Sequence, residues 1–120
     1  MRASALALIA LLAACDSGPV VNDEFVVDLM GAFSDTLVRV EVDGREVFED
    51  RVTTGLVLAT AGVVPVRVPA GPHRVRAVVD GRAAGEIEID TRTVLTVVVG
   101  YAPETDTVTL TALDHHVLHR

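Results

Sequence analysis

From Glu24 to Leu113 apolar and polar residues alternate with a period of two, and turn residues recur every eight to twelve positions. That rhythm predicts short antiparallel strands, since alternate side chains of a strand point to opposite faces. The first strand spans Glu24 to Met30. In Leu37 to Val42, Val38, Val40 and Val42 take one face while Arg39 and Glu41 take the other. Asp43-Gly44 then supplies a two-residue hairpin turn, because both residue types tolerate positive φ. Arg45 to Val52 returns with Val47 or Phe48 inward, and its untidy alternation predicts a bulge. Thr53 to Gly62 reads as a crossover between sheets carrying a short strand.

Val63 to Val68 follows with Val64, Val66 and Val68 inward. Pro65 places it at a sheet edge, because proline cannot donate to a ladder. Pro69-Ala70-Gly71-Pro72 is a turn. His73 to Val79 and Ala84 to Asp90 form a second hairpin through Asp80-Gly81, which sets Arg74 and Arg76 across from Glu86 and Glu88. Val94 to Val99 is nearly continuous apolar, as in a central strand covered on both faces. After a turn over residues 102–106, Thr107 to Leu113 ends the domain with Val108, Leu110 and Ala112 inward. Seven or eight strands in about ninety residues predict an all-β fold, a small antiparallel sandwich that is immunoglobulin-like in architecture. The tryptophan and paired cysteines of antibody domains are missing from the chain.

The chain ahead of this region has another character. Met1-Arg2 carries one positive charge, and Ala3 to Ala14 is apolar apart from Ser4. Twelve helical residues reach about 18 Å, well short of the ~30 Å hydrocarbon core, so the pattern is that of a cleaved signal peptide rather than a permanent span. Residues 1–14 are therefore read as signal peptide, 15–23 as a polar tether with Gly18-Pro19, 24–113 as the sandwich and 114–120 as a C-terminal tail.

Leu12-Ala13-Ala14-Cys15 closes the apolar run and holds the only cysteine of the sequence. It resembles the lipobox of bacterial lipoproteins. The resemblance implies diacylglyceryl transfer to the Cys15 thiol, cleavage between Ala14 and Cys15, and attachment to a bilayer through the acylated cysteine. Two or three acyl chains make a durable anchor, whereas one binds only marginally. Asp16, directly after that cysteine, is similar to the signal that keeps enteric lipoproteins in the inner membrane, which inclines the expected location to that membrane, facing the periplasm. A weaker resemblance covers about forty residues: Val40-Glu41-Val42-Asp43-Gly44 through Pro69-Ala70-Gly71-Pro72-His73-Arg74-Val75 looks like the PEGA-type repeats of bacterial envelope proteins. The Gly-x-Thr-Pro segment of those repeats is replaced here by Thr53 to Gly62. This likeness implies scaffolding or binding and carries over no catalytic residues.

Charge and composition narrow the function further. Seventeen carboxylates face ten arginines, with no lysine, for a net charge of −7. Loss of Arg2 with the signal peptide takes the exported domain to −8. An acidic domain of this kind argues against nucleic acid as a partner, and against electrostatic attachment to anionic lipid. Without a second cysteine the core must hold by packing alone. Three phenylalanines and one tyrosine leave few rings for stacking on sugars.

Candidate chemistry gathers in the tail, where Asp114, His115, His116 and His119 lie within six residues. Imidazoles with a carboxylate suit zinc, nickel or copper, and a helical tail would bring His119 to the face of His115 or His116. The competing reading is a polar closing segment in which Val117-Leu118 packs on the sandwich edge. His73, at the head of a strand, reads as a surface or half-buried structural residue. Neither Ser17 nor Ser34 stands in a Gly-x-Ser-x-Gly context, and no glycine-rich phosphate loop precedes a helix. The expectation is therefore a non-enzymatic envelope lipoprotein. Its sandwich would be structural or would bind another envelope protein, with a zinc-binding protein as the alternative.

Overall fold

A computed structural model describes residues 21–55 and 60–117. It contains eight strands: β1 (Asn22–Leu29), β2 (Thr36–Val42), β3 (Arg45–Val52), β4 (Gly62–Pro69), β5 (Pro72–Val79), β6 (Ala83–Asp90), β7 (Thr96–Ala102) and β8 (Thr107–Leu113). They form two four-stranded sheets, ordered β4-β1-β7-β8 and β3-β2-β5-β6. All neighbours are antiparallel except β1 and β7, which run parallel. The protein is thus an all-β sandwich of immunoglobulin-like architecture with its own strand order. In constant-type immunoglobulin sheets the first strand pairs with the second, whereas here it pairs with the fourth and seventh.

Alternation decides what is buried. Phe25, Val27 and Leu29 of β1 and Val97 and Val99 of β7 face Val38, Val40 and Val42 of β2 and Val75, Ala77 and Val79 of β5. Most are wholly inaccessible, and burying each large side chain contributes about 1.5–3 kcal/mol relative to exposure. Phe33 stacks on Tyr101 with ring centroids 5.9 Å apart and planes 9° from parallel, covering one end of this core. A Cβ on Gly31 would collide with the Tyr101 backbone nitrogen, so the chain passes Tyr101 there only as glycine.

Several expectations are met in detail. The bulge falls in β3, where the register shifts between Val40 and Glu41 and leaves Val47 without an opposite residue. Phe48 packs against the core, and Val47 is exposed. β4 with Pro65 is an edge strand, and Arg74 and Arg76 stand opposite Glu88 and Glu86. The segment after β3 does cross to the other sheet, although the short strand expected within it lies over residues 56–59, outside the described residues.

Most strand ends fall within one residue of expectation, but the starts of β1 and β7 differ by two and β7 runs on to Ala102. β7 starts at Thr96 rather than Val94, because Thr93 and Val94 both donate to the Asp90 carbonyl at 3.0 Å and hold the chain in a turn. It is central as expected, yet only its inward face is fully covered, Val98 being half-buried on the other side. β1 starts two residues early, at Asn22, where the pairing with Pro69 of β4 extends it.

The two long sides of the sandwich are unlike. On one, β6 and β8 approach so closely that a Cβ on Gly85 would stand 2.8 Å from Leu110 Cδ1 and 2.9 Å from the Val108 carbonyl oxygen. On the other, β3 and β4 flank an open cleft that reaches the Pro69 end of the domain.

The sheet β3-β2-β5-β6 is built from two similar hairpins. Val42-Asp43-Gly44-Arg45 and Val79-Asp80-Gly81-Arg82 repeat the same four residues. In each, aspartate and glycine both have positive φ, 53° and 80° in the first and 52° and 67° in the second, as a two-residue hairpin turn requires. Each aspartate also ties its turn to the neighbouring hairpin. Asp43 N donates to the Arg74 carbonyl and Arg74 N to Asp43 Oδ1, both at 2.9 Å. Asp80 N donates to the Leu37 carbonyl at 2.8 Å and Leu37 N to Asp80 Oδ1 at 3.0 Å.

Candidate functional site

The residues singled out in the sequence fall in three places. Cys15 and His119 lie outside the described residues. Asp114 and His115 are exposed neighbours, with His115 Nδ1 3.1 Å from Asp114 Oδ1. His116 goes elsewhere: its Nδ1 is 3.4 Å from the hydroxyl of the buried Thr96, at the start of β7. Among the described residues, no three His, Cys, Asp or Glu side chains are grouped so as to hold a metal ion.

The most built polar site lies instead where the β2–β3 turn meets the β4–β5 turn. His73, the second residue of β5, places Nδ1 2.6 Å from Asp43 Oδ2 and Nε2 2.6 Å from the Pro69 carbonyl oxygen. Both partners are acceptors, so the geometry suits the imidazolium, in which both ring nitrogens donate. The side chain is only 10% exposed, against 52% for Asp43. The hydrogen bond to the Asp43 carboxylate raises the His73 pKa above its ordinary value, outweighing the opposing effect of burial. Asp43 moves the other way, lowered first by the Arg74 backbone N–H and then by His73. Because Pro69 ends β4 and Asp43 follows β2, this one ring joins the two sheets at a corner.

Two concavities of the described surface meet at that corner. The larger, about 590 Å³, lies on the outer face of β2, β5 and β6 between Glu41, Arg74, Arg76, Glu86 and Glu88, with His73 and Asp43 at its end. Its walls are an ion-pair ladder. Arg74 Nη2 is 2.6 Å from Glu88 Oε1, Arg76 Nη1 is 3.4 Å from Glu41 Oε1, and Arg39 Nη1 is 3.4 Å from Glu41 Oε2. Arg39 Nε lies 3.4 Å from Glu49 Oε2 but is not aligned for a hydrogen bond. Exposed pairs of this kind contribute about 0–1 kcal/mol each and mainly hold register.

The smaller concavity, about 250 Å³, is the cleft between β3 and β4, lined by Val42, Val47, Val68, Arg45 and Arg67 beside Asp43 and His73. With both nitrogens donating, His73 has no free lone pair with which to take a proton from a substrate. The corner can bind and hold charge, and it is not arranged for general base chemistry.

Sequence reasoning placed His73 as a structural residue and did not find its partner. Asp43 was legible only as a turn residue, and neither Arg45 nor Arg67 stood out. The available signal was the repeated Val-Asp-Gly-Arg, which sets one turn beside His73 and leaves the other without a histidine. No family model matches this chain, and no curated protein matches it.

Proposed function

We propose that this is a bacterial envelope lipoprotein, anchored through acylated Cys15, whose sandwich domain binds another envelope protein. The observation that carries the anchor is Leu12-Ala13-Ala14-Cys15 at the end of a short apolar run. The strands begin at Asn22, which leaves a short polar connection between that cysteine and the folded domain. Among the described residues no helix is long and apolar enough to cross a membrane. Asp16 favours the inner membrane, and the PEGA-type likeness over β2 to β5 favours a scaffolding or binding role.

The binding surface is best placed at the corner and the β3/β4 side, since β6 and β8 close the other side against each other. Simple strand addition there is discouraged. β4 carries Pro65, β3 carries the bulge at Val47, and Asp50 is a charge at the edge opposite the core residue Val38. Recognition therefore falls to side chains. Zinc binding by the tail rests on the sequence alone, with His115 and His116 engaged in different directions.

The anchor is tested with Cys15→Ser in the full chain expressed in a bacterium. The unaltered protein is expected to partition into detergent on phase separation and to carry the added mass of acyl chains. The variant is expected in the aqueous phase without that mass. A variant that stays in the detergent phase with its added mass would show that Cys15 is not the attachment site.

A further inference from the structure

Eight arginines lie among the described residues, and six of them have acceptor partners there. Arg39, Arg74, Arg76, Arg82 and Arg92 pair with carboxylates, and Arg51 donates to the Asp35 carbonyl at 3.1 Å. Arg45 and Arg67 form no ion pair with another described residue, although the chain carries an excess of acid. Both line the same cleft, Arg45 from β3 and Arg67 from β4. Asp43 feels the charge of Arg45 without forming an ion pair with it, and the other nearby carboxylates are turned elsewhere. Asp43 is engaged by His73 and the Arg74 N–H, Glu46 faces Arg39, and Glu24, opposite Arg67 in the β1–β4 register, forms no ion pair with it.

We propose that this cleft binds a phosphate group between Arg45 and Arg67. A carboxylate has two oxygens and is satisfied by one bidentate guanidinium. Two guanidiniums on facing strands suit an oxyanion with more oxygens, and Val42, Val47 and Val68 supply an apolar lining for whatever the phosphate is attached to. The volume, about 250 Å³, suits a small phosphorylated headgroup better than a large ligand.

The cleft also lies at the end where the tether enters: Asn22 pairs with Pro69, and the Val21 carbonyl accepts from Ala70 N at 2.7 Å. Seven residues, from Cys15 to Val21, span at most about 25 Å. An anchor at Cys15 therefore holds the two arginines near the lipid phosphates. That source of phosphate rests on the lipoprotein reading, whereas binding of the group itself does not.

The test uses the full chain in an uncharged maltoside detergent, with the Nε–H resonances of Arg45 and Arg67 followed by NMR. It is titrated separately with inorganic phosphate, with a short-chain phosphatidylglycerol, and with acetate at matched ionic strength. Saturable shifts at both arginines with phosphate or the lipid, weakened at least tenfold in R45Q/R67Q and absent with acetate, are the expected result. Tighter binding of the lipid than of phosphate identifies a headgroup as the source, and equal binding identifies a soluble phosphate. No saturable shift, an equal response to acetate, or unchanged binding in the double variant would overturn the proposal. Backbone spectra of the double variant verify that it is folded. Cys15→Ser run in the same titration separates the site from the anchor, because phosphate binding survives loss of the lipid if only the anchor reading fails.

Discussion

The turns at Asp43-Gly44 and Asp80-Gly81 share four residues, one geometry and the same backbone ties to a neighbouring strand, yet they are finished differently. At the second, Arg82 is bound by Asp106 at 3.1 Å, and Asp106 also accepts from the Tyr101 hydroxyl at 2.6 Å. At the first, the turn aspartate takes an imidazolium, and the following arginine, Arg45, forms no ion pair with a described residue. One end of the sheet is electrically closed. The other holds a titratable lock beside two guanidiniums that form no ion pair with a described residue, at the end where β1 begins. Backbone chemistry explains what the turns have in common, and their surroundings explain which of them is a site.

The comparison breaks most clearly at the aspartates. Asparagine tolerates positive φ and keeps an acceptor oxygen, so it removes the charge and leaves the turn intact. Asp43→Asn is expected to cost about 1.5–2.5 kcal/mol through the charge-assisted bonds it weakens, and Asp80→Asn under about 0.5 kcal/mol. Urea denaturation of both variants measures the gap. Equal losses would mean that His73 adds nothing to the first turn.

A smaller effect, about 1–2 kcal/mol, is expected from His73→Gln, and its pH dependence has a definite sign. The His73 pKa is raised in the fold, so its contribution is complete below the ordinary value of 6.5 and is lost as pH rises through the higher folded value. The Asp43 pKa is lowered, so its contribution is present above 3.8 and is lost as pH falls through the lower folded value. The difference in melting temperature between the natural protein and His73→Gln should therefore be greatest near about pH 5 and shrink on both sides. A difference that grows above pH 7 would contradict the doubly donating imidazolium.

The arginines should show the least. Arg82→Gln is expected to be only slightly destabilising, because its partner is exposed, and Arg45→Gln to be neutral or slightly stabilising, since it removes a charge with no described ion-pair partner. Thermal melts of the two single variants check the order. A larger loss for Arg45→Gln would point to a structural partner for that side chain.

Most of the fold was legible because the sandwich keeps its valines on one parity. Val38, Val40, Val42, Val75 and Val79 announce their strands, Pro65 announces an edge, and Asp-Gly announces each hairpin. What alternation cannot express is which strands become neighbours. The His73–Asp43 bond requires the β4–β5 turn to lie against the β2–β3 turn. The pairing of Arg45 with Arg67 across a cleft requires β3 and β4 to be edges of opposite sheets on the same side. Both depend on strand order, which the local pattern leaves free. In the tail, adjacency in the chain does not reveal that His116 turns to Thr96 while His115 stays with Asp114.

The position of β1 has a mechanical consequence. It runs between β4, antiparallel, and β7, parallel, so a pull on the chain ahead of Asn22 enters along the strand axis, across the ladder hydrogen bonds on both sides. Those bonds are loaded together in shear, not opened one after another as at a peeled edge. A domain pulled through this strand resists tension in shear, with a single cysteine in the chain and so no internal disulfide to reinforce it.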